Sequence, residues 1–301
     1  MLLPQTLQIR EPVLMGNAIW FILLAALSIL LLTYTLWKKR DVRLLMLFFG
    51  LGAIAGLLEF VIFVWLESYE YYPGLMENTY FDNALGAFLS QVVYVSSAAL
   101  FIAAFNLRFR WLLIFALMFV ALEYLFLTLG VFKHNWWHSS FTGGGLFIYF
   151  WIAKVWYKLL LQAPSGLMRW VILFCSSYIM YSDLLSISLY TDHYHFVGGY
   201  FANAARDTLT VFIVITLIKS FVISLICYYR LNRVIKVLTT IMMWVSYSIL
   251  MQLNIMSFQH YWDLIYFAAT DIIILICCSY FNKVLSRKQM NREKRLINER
   301  A

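Results

Sequence analysis

Long apolar segments follow one another along the chain, each ended by a short polar connection. A helix needs about 20 apolar residues to cross about 30 Å of hydrocarbon. Nine segments approach or exceed that length, and the pattern predicts a transmembrane helix at each of residues 13–37, 44–66, 84–105, 111–132, 145–161, 168–191, 208–229, 234–256 and 264–281. The fifth is the weakest, because Lys154 and Lys158 interrupt it. The predicted fold is an all-α, polytopic transmembrane helix bundle.

The composition agrees with this pattern. The chain is 63% hydrophobic and 13% charged, whereas soluble domains are about 45–50% apolar and about 25% charged. Lipid must therefore surround most of the chain. The first segment is too long for the apolar region of a signal peptide, and a basic run at residues 38–40 follows it directly.

Lysine and arginine set the predicted orientation, because cytoplasmic connections carry an excess of both. With the N-terminus outside, only Arg10, Lys133 and Arg206 fall on outer connections, and acidic residues show the opposite bias. We predict an N-out, C-in cell-membrane protein with an outer N-terminus (1–12), a nine-helix domain (13–283) and a basic cytoplasmic tail (284–301). The net charge of +8 then reflects topology and a tail that faces anionic lipid. We expect no nucleic-acid partner.

Short motifs recur in the two halves of the chain. YFDNA at 80–84 resembles YFANA at 200–204, and FKHNW at 132–136 resembles FQHYW at 258–262. The matching segments run in the same direction, so the sequence predicts a parallel internal repeat. Its units are four helices at about 13–137 and four at about 145–263, followed by a ninth helix at about 264–281.

The run LEYLFLTLGVFKHNWW, with YEYYPGLMENTYFDNALGAFLSQ upstream, resembles an uncharacterised multi-pass family of endospore-forming Bacillota. Its members carry E-x-x-F-x-x-x-G-x-[FYW]-x-H-x-W-W at a helix end, and no activity is established for them. The resemblance covers about residues 55–160 and fades in the second half. There, the position matching Glu123 is hydrophobic, near Ile249, and the second tryptophan is replaced by Asp263. It implies a bacterial cytoplasmic membrane location and supplies no chemistry.

Ionisable residues inside the predicted spans are the first candidates for function, because each costs about 2.5–3.5 kcal/mol at a helix centre. They are Glu59, Glu123, Lys154, Asp183, Lys219 and Asp271. We expect Glu123, Lys219 and Asp271 to form a coupling group near the midplane of an ion- or proton-linked pathway. The alternative is internal hydrogen bonding that only fixes helix registry.

Histidines concentrate at the predicted outer face. The candidates for an outer vestibule are His134, Trp136, Trp137, His138, His193, His195, His260 and Asp207. Imidazoles with carboxylates suit a divalent metal or a rim that titrates near neutral pH. The alternative is an interfacial aromatic belt. No established metal-ligand motif is present, and no other cofactor is predicted.

Three functional classes follow. The favoured one is a carrier or permease-like protein for a small solute or ion, with intramembrane carboxylates beneath the vestibule. The alternatives are a non-catalytic scaffold or sensor, for example in spore formation, and an enzyme that acts on lipid at the outer face. The chain has neither G-x-S-x-G nor G-x-x-x-x-G-K-[ST], which disfavours a serine hydrolase and excludes ATP-driven transport within this chain.

The predicted orientation can be tested by labelling. Single cysteines at His134 and Arg230, in a chain whose four native cysteines are replaced, should react with an impermeant maleimide from opposite sides of the membrane. The outer position should react in intact cells and the inner one only after permeabilisation. Labelling of both positions from one compartment would contradict the topology.

Overall fold

A computed structural model describes residues 14–162 and 164–298, so the predicted outer N-terminus lies outside the described residues. Over these ranges the protein is an all-α polytopic bundle, with nine helices long and apolar enough to cross a membrane. The α-helices are α1 (Leu14–Lys39), α2 (Arg43–Glu59), α3 (Thr79–Phe88), α4 (Ser96–Ala104), α5 (Phe109–Thr128), α6 (Ser139–Leu161), α7 (Gly166–Tyr190), α8 (Ala204–Tyr228), α9 (Arg233–Gln252) and α10 (Tyr261–Asn298). The predicted spans are confirmed.

Two π-helical segments extend the α-helices into spans, and one of them explains why ten α-helices make nine spans. Phe60–Trp65 continues α2, and Leu89–Val95 joins α3 to α4 in one span. Such segments insert an extra residue into a helix and are common at functional sites.

Several boundaries differ by a few residues from the sequence prediction, and the two largest differences lie in α6 and α10. Helix α6 begins at Ser139, six residues before the predicted start, and includes the glycine run at 143–145. A helical segment satisfies its own backbone hydrogen bonds, which favours helix over loop at the edge of the hydrocarbon. Helix α10 continues to Asn298, so most of the predicted tail extends the ninth helix.

Short strands, which the sequence analysis did not predict, close one end of the bundle. Strand β1 (Tyr69–Tyr71) pairs antiparallel with β2 (Phe132–His134), and β3 (Tyr194–Phe196) pairs with β4 (Met256–Phe258). We call the four spans from α2 to α6 the first half and the four from α7 to α10 the second half. Each pair joins the connection after one helix to the connection after a later helix of the same half. The predicted repeat units instead assigned the span of α6 to the second unit and left the span of α10 outside both. We call this end of the bundle the strand end.

Both halves show the same local geometry, but in a different register from the one that the motifs predicted. Asn78 and Asn203 each cap the following helix by accepting two backbone N–H groups. Tyr69 opposes His134 in one strand pair and Tyr194 opposes Phe258 in the other. The predicted matches of YFDNA with YFANA and of FKHNW with FQHYW are therefore wrong in register.

The π-helical segments explain why the spacing differs between halves. Asn106 and Arg230 both have a positive φ and end the corresponding spans. The segment from the N-cap Asn78 to Asn106 is one residue longer than the segment from the N-cap Asn203 to Arg230. The longer span contains Leu89–Val95. Just before the strands, Ser68 N–H bonds the carbonyl of Ile62, six residues back, whereas His193 N–H bonds that of Ser188, five residues back.

Glycine permits a close approach between helix and strand connection in each half. A Cβ on Gly86 in α3 would lie 2.5 Å from Tyr71 Cβ. In the second half the glycine lies on the connection instead, since a Cβ on Gly198 would lie 2.4 Å from a methyl of Val211 in α8. The strand connections therefore pack directly against the helices that follow them.

This packing predicts that Gly86→Ala destabilises the folded protein. Overpacking a tight contact costs about 1–3 kcal/mol, and the thermal unfolding midpoint in detergent should fall accordingly. Gly56→Ala is the matched control, because its Cβ would have no neighbour within 4 Å. Equal midpoints for the two variants would contradict the packing.

Candidate functional site

A cavity of about 180 Å³ lies inside the first half of the bundle. Its polar lining includes the carboxyl groups of Glu59 and Glu123 and the amide of Gln91. The remaining wall is mainly aromatic and includes Tyr69, Tyr71, Tyr94, Phe119, Phe126, Phe132, Trp137, Phe141 and Tyr149. Helices α2, α5 and α6, the π-helical segment 89–95 and both strands of the first pair contribute to it.

Glu59 offers an unused acceptor at this cavity. It is the last residue of α2, directly before a π-helical segment. Tyr69 donates its hydroxyl hydrogen to Glu59 Oε2 at 2.6 Å. The other oxygen, Oε1, is buried and has no hydrogen-bond partner in the protein. Because buried polar atoms are nearly always paired, this oxygen calls for a water, a proton or a ligand.

Glu123 connects the cavity to the strand end. Its Oε1 lies 3.0 Å from Nε2 of His134, the last residue of β2. The two atoms are close enough for an ion pair but lack hydrogen-bond alignment. Nearby, the Tyr149 and Ser96 hydroxyls lie 2.9 Å apart. The site therefore joins two carboxyl groups, an imidazole and several hydroxyls.

In the second half the ionisable residues form a closed cluster. Lys219 Nζ lies 2.7 Å from Asp271 Oδ1. Tyr181 and Tyr247 each donate a hydrogen bond to Asp271 at 2.8 Å, and Lys219 also bonds the Tyr247 hydroxyl. The Lys219 ammonium lies over the Tyr181 ring, 4.2 Å from its centroid. Every charged group in this cluster has a partner. This fits the alternative hypothesis, in which the intramembrane charges only fix the helix registry.

The predicted coupling group of Glu123, Lys219 and Asp271 is therefore wrong. Lys219 pairs with Asp271 and Glu123 with His134, and no ion pair within 4 Å joins the two sets in the described part of the chain. A buried ammonium needs a carboxylate close by, and Asp271 from α10 already provides one.

Equivalent positions show why one half is open and the other closed. Helices α5 and α9 both contain 20 residues, and Glu123 and Tyr247 occupy the same position in them. The counterpart of Glu123 is thus Tyr247, and the predicted position near Ile249 is wrong. Counted from the starts of α6 and α10, Tyr149 corresponds to Asp271 and Gly145 to Phe267.

Phe267 fills the space that Gly145 leaves open. It is 1% exposed, and its ring centroid lies 4.8 Å from that of Tyr194, 5.4 Å from Tyr247 and 5.1 Å from Phe258. Gly145 lines the cavity, and a Cβ there would have no neighbour within 4 Å. The cavity thus corresponds to the space that the Phe267 side chain fills in the second half, and we call Phe267 the plug.

An acidic basin adjoins the cavity at the strand end. It is an open depression whose lining includes Glu67, Glu70, Glu77 and Asp82, and Tyr69 lines both the basin and the cavity. A hydrogen bond from Tyr72 is the main cause that lowers the pKa of the Glu70 carboxyl, aided by Asn135 and Lys133. Glu70 is therefore ionised at neutral pH. Lys133 lies 3.7 Å from Glu70 and Arg206 pairs with Glu67, so these two cations partly offset the negative charge of the basin.

The remaining predicted residues divide between the two halves. Trp137 lines the cavity, whereas Trp136 is exposed and donates Nε1–H to the carbonyl of Leu66. His138 is the N-cap residue of α6, and its ring lies against Phe141. His193, His195 and His260 lie at the strand end of the second half, where His195 approaches Asp192 at 3.4 Å.

Asp207 is a structural residue and does not line a vestibule. It is 4% exposed, and it accepts hydrogen bonds from the N–H groups of four consecutive residues, 198–201. Asp82 holds the loop before α3 in the same way. Asp183 keeps one carboxyl oxygen unpaired but does not line the cavity.

Sequence reasoning missed several residues of the site. Tyr69, Tyr149 and Gln91 gave no signal, because single polar residues among aromatic ones are common in membrane spans. Gly145 did carry a signal, namely a glycine where the second half has Phe267. It is visible only after the two halves are aligned by their helix starts.

The plug comparison predicts opposite effects of two substitutions. Gly145→Phe should leave the thermal unfolding midpoint unchanged or raise it, because the side chain enters open space. Phe267→Ala should lower the free energy of unfolding by about 3–5 kcal/mol, as for other buried phenylalanines. Comparable destabilisation by both variants would contradict the correspondence.

Comparison with known proteins does not provide a precedent for this site. The chain has no match among protein-family models, curated proteins or solved structures. The resemblance to the family of endospore-forming Bacillota stays a prediction.

Proposed function

We propose that the protein is a membrane carrier that takes a small organic cation from the strand end into the cavity beside Glu59 and Glu123. The observation that carries this proposal is the buried, unpaired Glu59 oxygen in an aromatic-walled cavity next to an acidic basin. The carboxyl group supplies the charge, the aromatic wall supplies shape, and the basin attracts the solute.

The charges and rings of the cavity favour a cation over an anion. Aromatic faces attract ammonium groups, most strongly when these are desolvated. No lysine or arginine lines the cavity within the described residues, so an anion would meet two carboxyl groups, of which only Glu123 has a basic side chain, His134, beside it. A cavity of roughly 150 Å³ holds benzene, which makes a compact ammonium ion a suitable size.

Glu59 and Gln91 are placed to pass the solute onward. Both also line a second, smaller cavity of about 60 Å³, whose wall includes Tyr178, Tyr190 and Phe212 from the other half. Glu59 directly precedes one π-helical segment and Gln91 lies in the other. Such segments are frequent at functional sites, and parallel halves can rock about the site between them.

Exchange for a proton would balance the charge during transport. An ionised carboxylate left unpaired in a low-dielectric cavity is costly. Glu59 therefore binds the cation when ionised and takes up a proton when the cation leaves. One cation crosses in one direction for each proton that crosses in the other, so the carrier is an antiporter.

The orientation and location belong to this proposal as well. Basic residues concentrate at the end opposite the strands, which supports an outer strand end and a cytoplasmic C-terminus. The acidic basin then faces the outer medium of a bacterial cytoplasmic membrane. In the second half, Lys219 and Asp271 are already paired, which favours a structural role for that half. The alternative of a non-catalytic scaffold therefore remains for the second half only.

Uptake of radiolabelled tetramethylammonium into proteoliposomes tests the carrier. Glu59→Gln and Glu123→Gln should each lower the initial rate by at least about tenfold, because losing a desolvated charge partner costs more than about 1.4 kcal/mol. Asp183→Asn is the matched control, since this carboxyl group lies outside the cavity lining, and its rate should stay within about twofold of wild type. Equal rates for all four proteins, or no uptake above empty liposomes by the folded wild type, would overturn the proposal.

A further inference from the structure

A second set of ligand-type side chains meets at the strand end of the second half. His193 lies directly before β3, and His260 and Asp263 lie at the start of α10. His193 Nδ1 is 3.1 Å from Asp263 Oδ1, and His260 Nδ1 is 3.9 Å from Asp263 Oδ2. One donor atom from each of the three residues lies within 4.8 Å of the other two.

We propose that His193, His260 and Asp263 bind one zinc ion. Zinc takes imidazole nitrogen at about 2.0–2.1 Å and carboxylate oxygen at about 2.0–2.2 Å, with three protein ligands where one coordination position stays open. The 3.1 Å separation of His193 Nδ1 and Asp263 Oδ1 already suits two ligands of one ion, and the His260 imidazole must move closer to complete the set. Magnesium and calcium prefer sites made entirely of oxygen ligands, so this donor set selects against them.

The surroundings fix one ligand and leave another free to adjust. Asp263 is 1% exposed, and its Oδ2 accepts the backbone N–H of His260 at 3.0 Å. The His193 ring packs against Trp262, with ring centroids 5.5 Å apart. The His260 side chain is 55% exposed. A buried carboxylate and a supported imidazole thus form a fixed pair, and the exposed imidazole can close on the ion.

The other histidines lack this arrangement. His134 faces Glu123 in the first half, and His195 pairs with the exposed Asp192. The positions in the first half that correspond to His193 and Asp263 are Ser68 and Phe141, so the first half lacks two of the three ligands. Bound zinc would tie β3 to the start of α10 and hold the plugged half closed.

Zinc binding by the purified full-length protein tests the site, provided that the affinity tag contains no histidine. Wild type in detergent should bind one zinc ion per chain, measured by metal analysis after dialysis and by competition with a chromogenic chelator. His193→Ala and His260→Ala should each weaken the affinity by at least about tenfold. His195→Ala should retain the affinity of wild type.

His260→Ala decides the question if His193→Ala fails to fold, because the His260 side chain is exposed. Zinc should also raise the thermal unfolding midpoint of wild type but not of His260→Ala, since a ligand that binds only the folded state stabilises it. Two results would overturn the proposal: no zinc bound by folded wild type, or equal affinity in wild type and His260→Ala. Neither readout depends on transport.

Discussion

The central constraint on this protein is that polar side chains inside an apolar bundle must find partners. At one set of equivalent positions the two halves meet this constraint differently. In the second half, Lys219 and Asp271 neutralise each other, two tyrosines complete their hydrogen bonds, and Phe267 excludes solvent. In the first half Gly145 leaves space, and Glu59 keeps an oxygen without a protein partner. At these positions the second half completes its own ion pair and hydrogen bonds, whereas the first half needs a proton, water or solute at Glu59.

This asymmetry connects the fold to the proposed carrier. The closed half supplies a wall in which Lys219 and Asp271 already neutralise each other. The open half combines a carboxyl group, aromatic faces and two π-helical segments in one region. A zinc ion on His193, His260 and Asp263 would reinforce the rigid half at its strand end and leave the open half free to move.

The sequence predicted the spans well because lipid demands about 20 apolar residues for each crossing. It did not reveal the strands, since segments of three residues beside long apolar helices carry no period of their own. The short sequence motifs gave the wrong register for the repeat, because the register is set by the helix N-caps and the strand pairs. The predicted coupling group failed for a related reason: depth in the membrane does not tell which helices face each other, and Lys219 faces Asp271 instead of Glu123.

The most direct test of the central claim compares chemical access at the two equivalent positions. In a chain whose four native cysteines are replaced, Gly145→Cys and Phe267→Cys should be treated with a small cationic methanethiosulfonate and with its anionic counterpart. The account predicts that the cysteine at 145 reacts from the strand end, faster with the cationic reagent, and that the cysteine at 267 is protected. Equal reactivity at the two positions, or a faster reaction of the anionic reagent at 145, would contradict it.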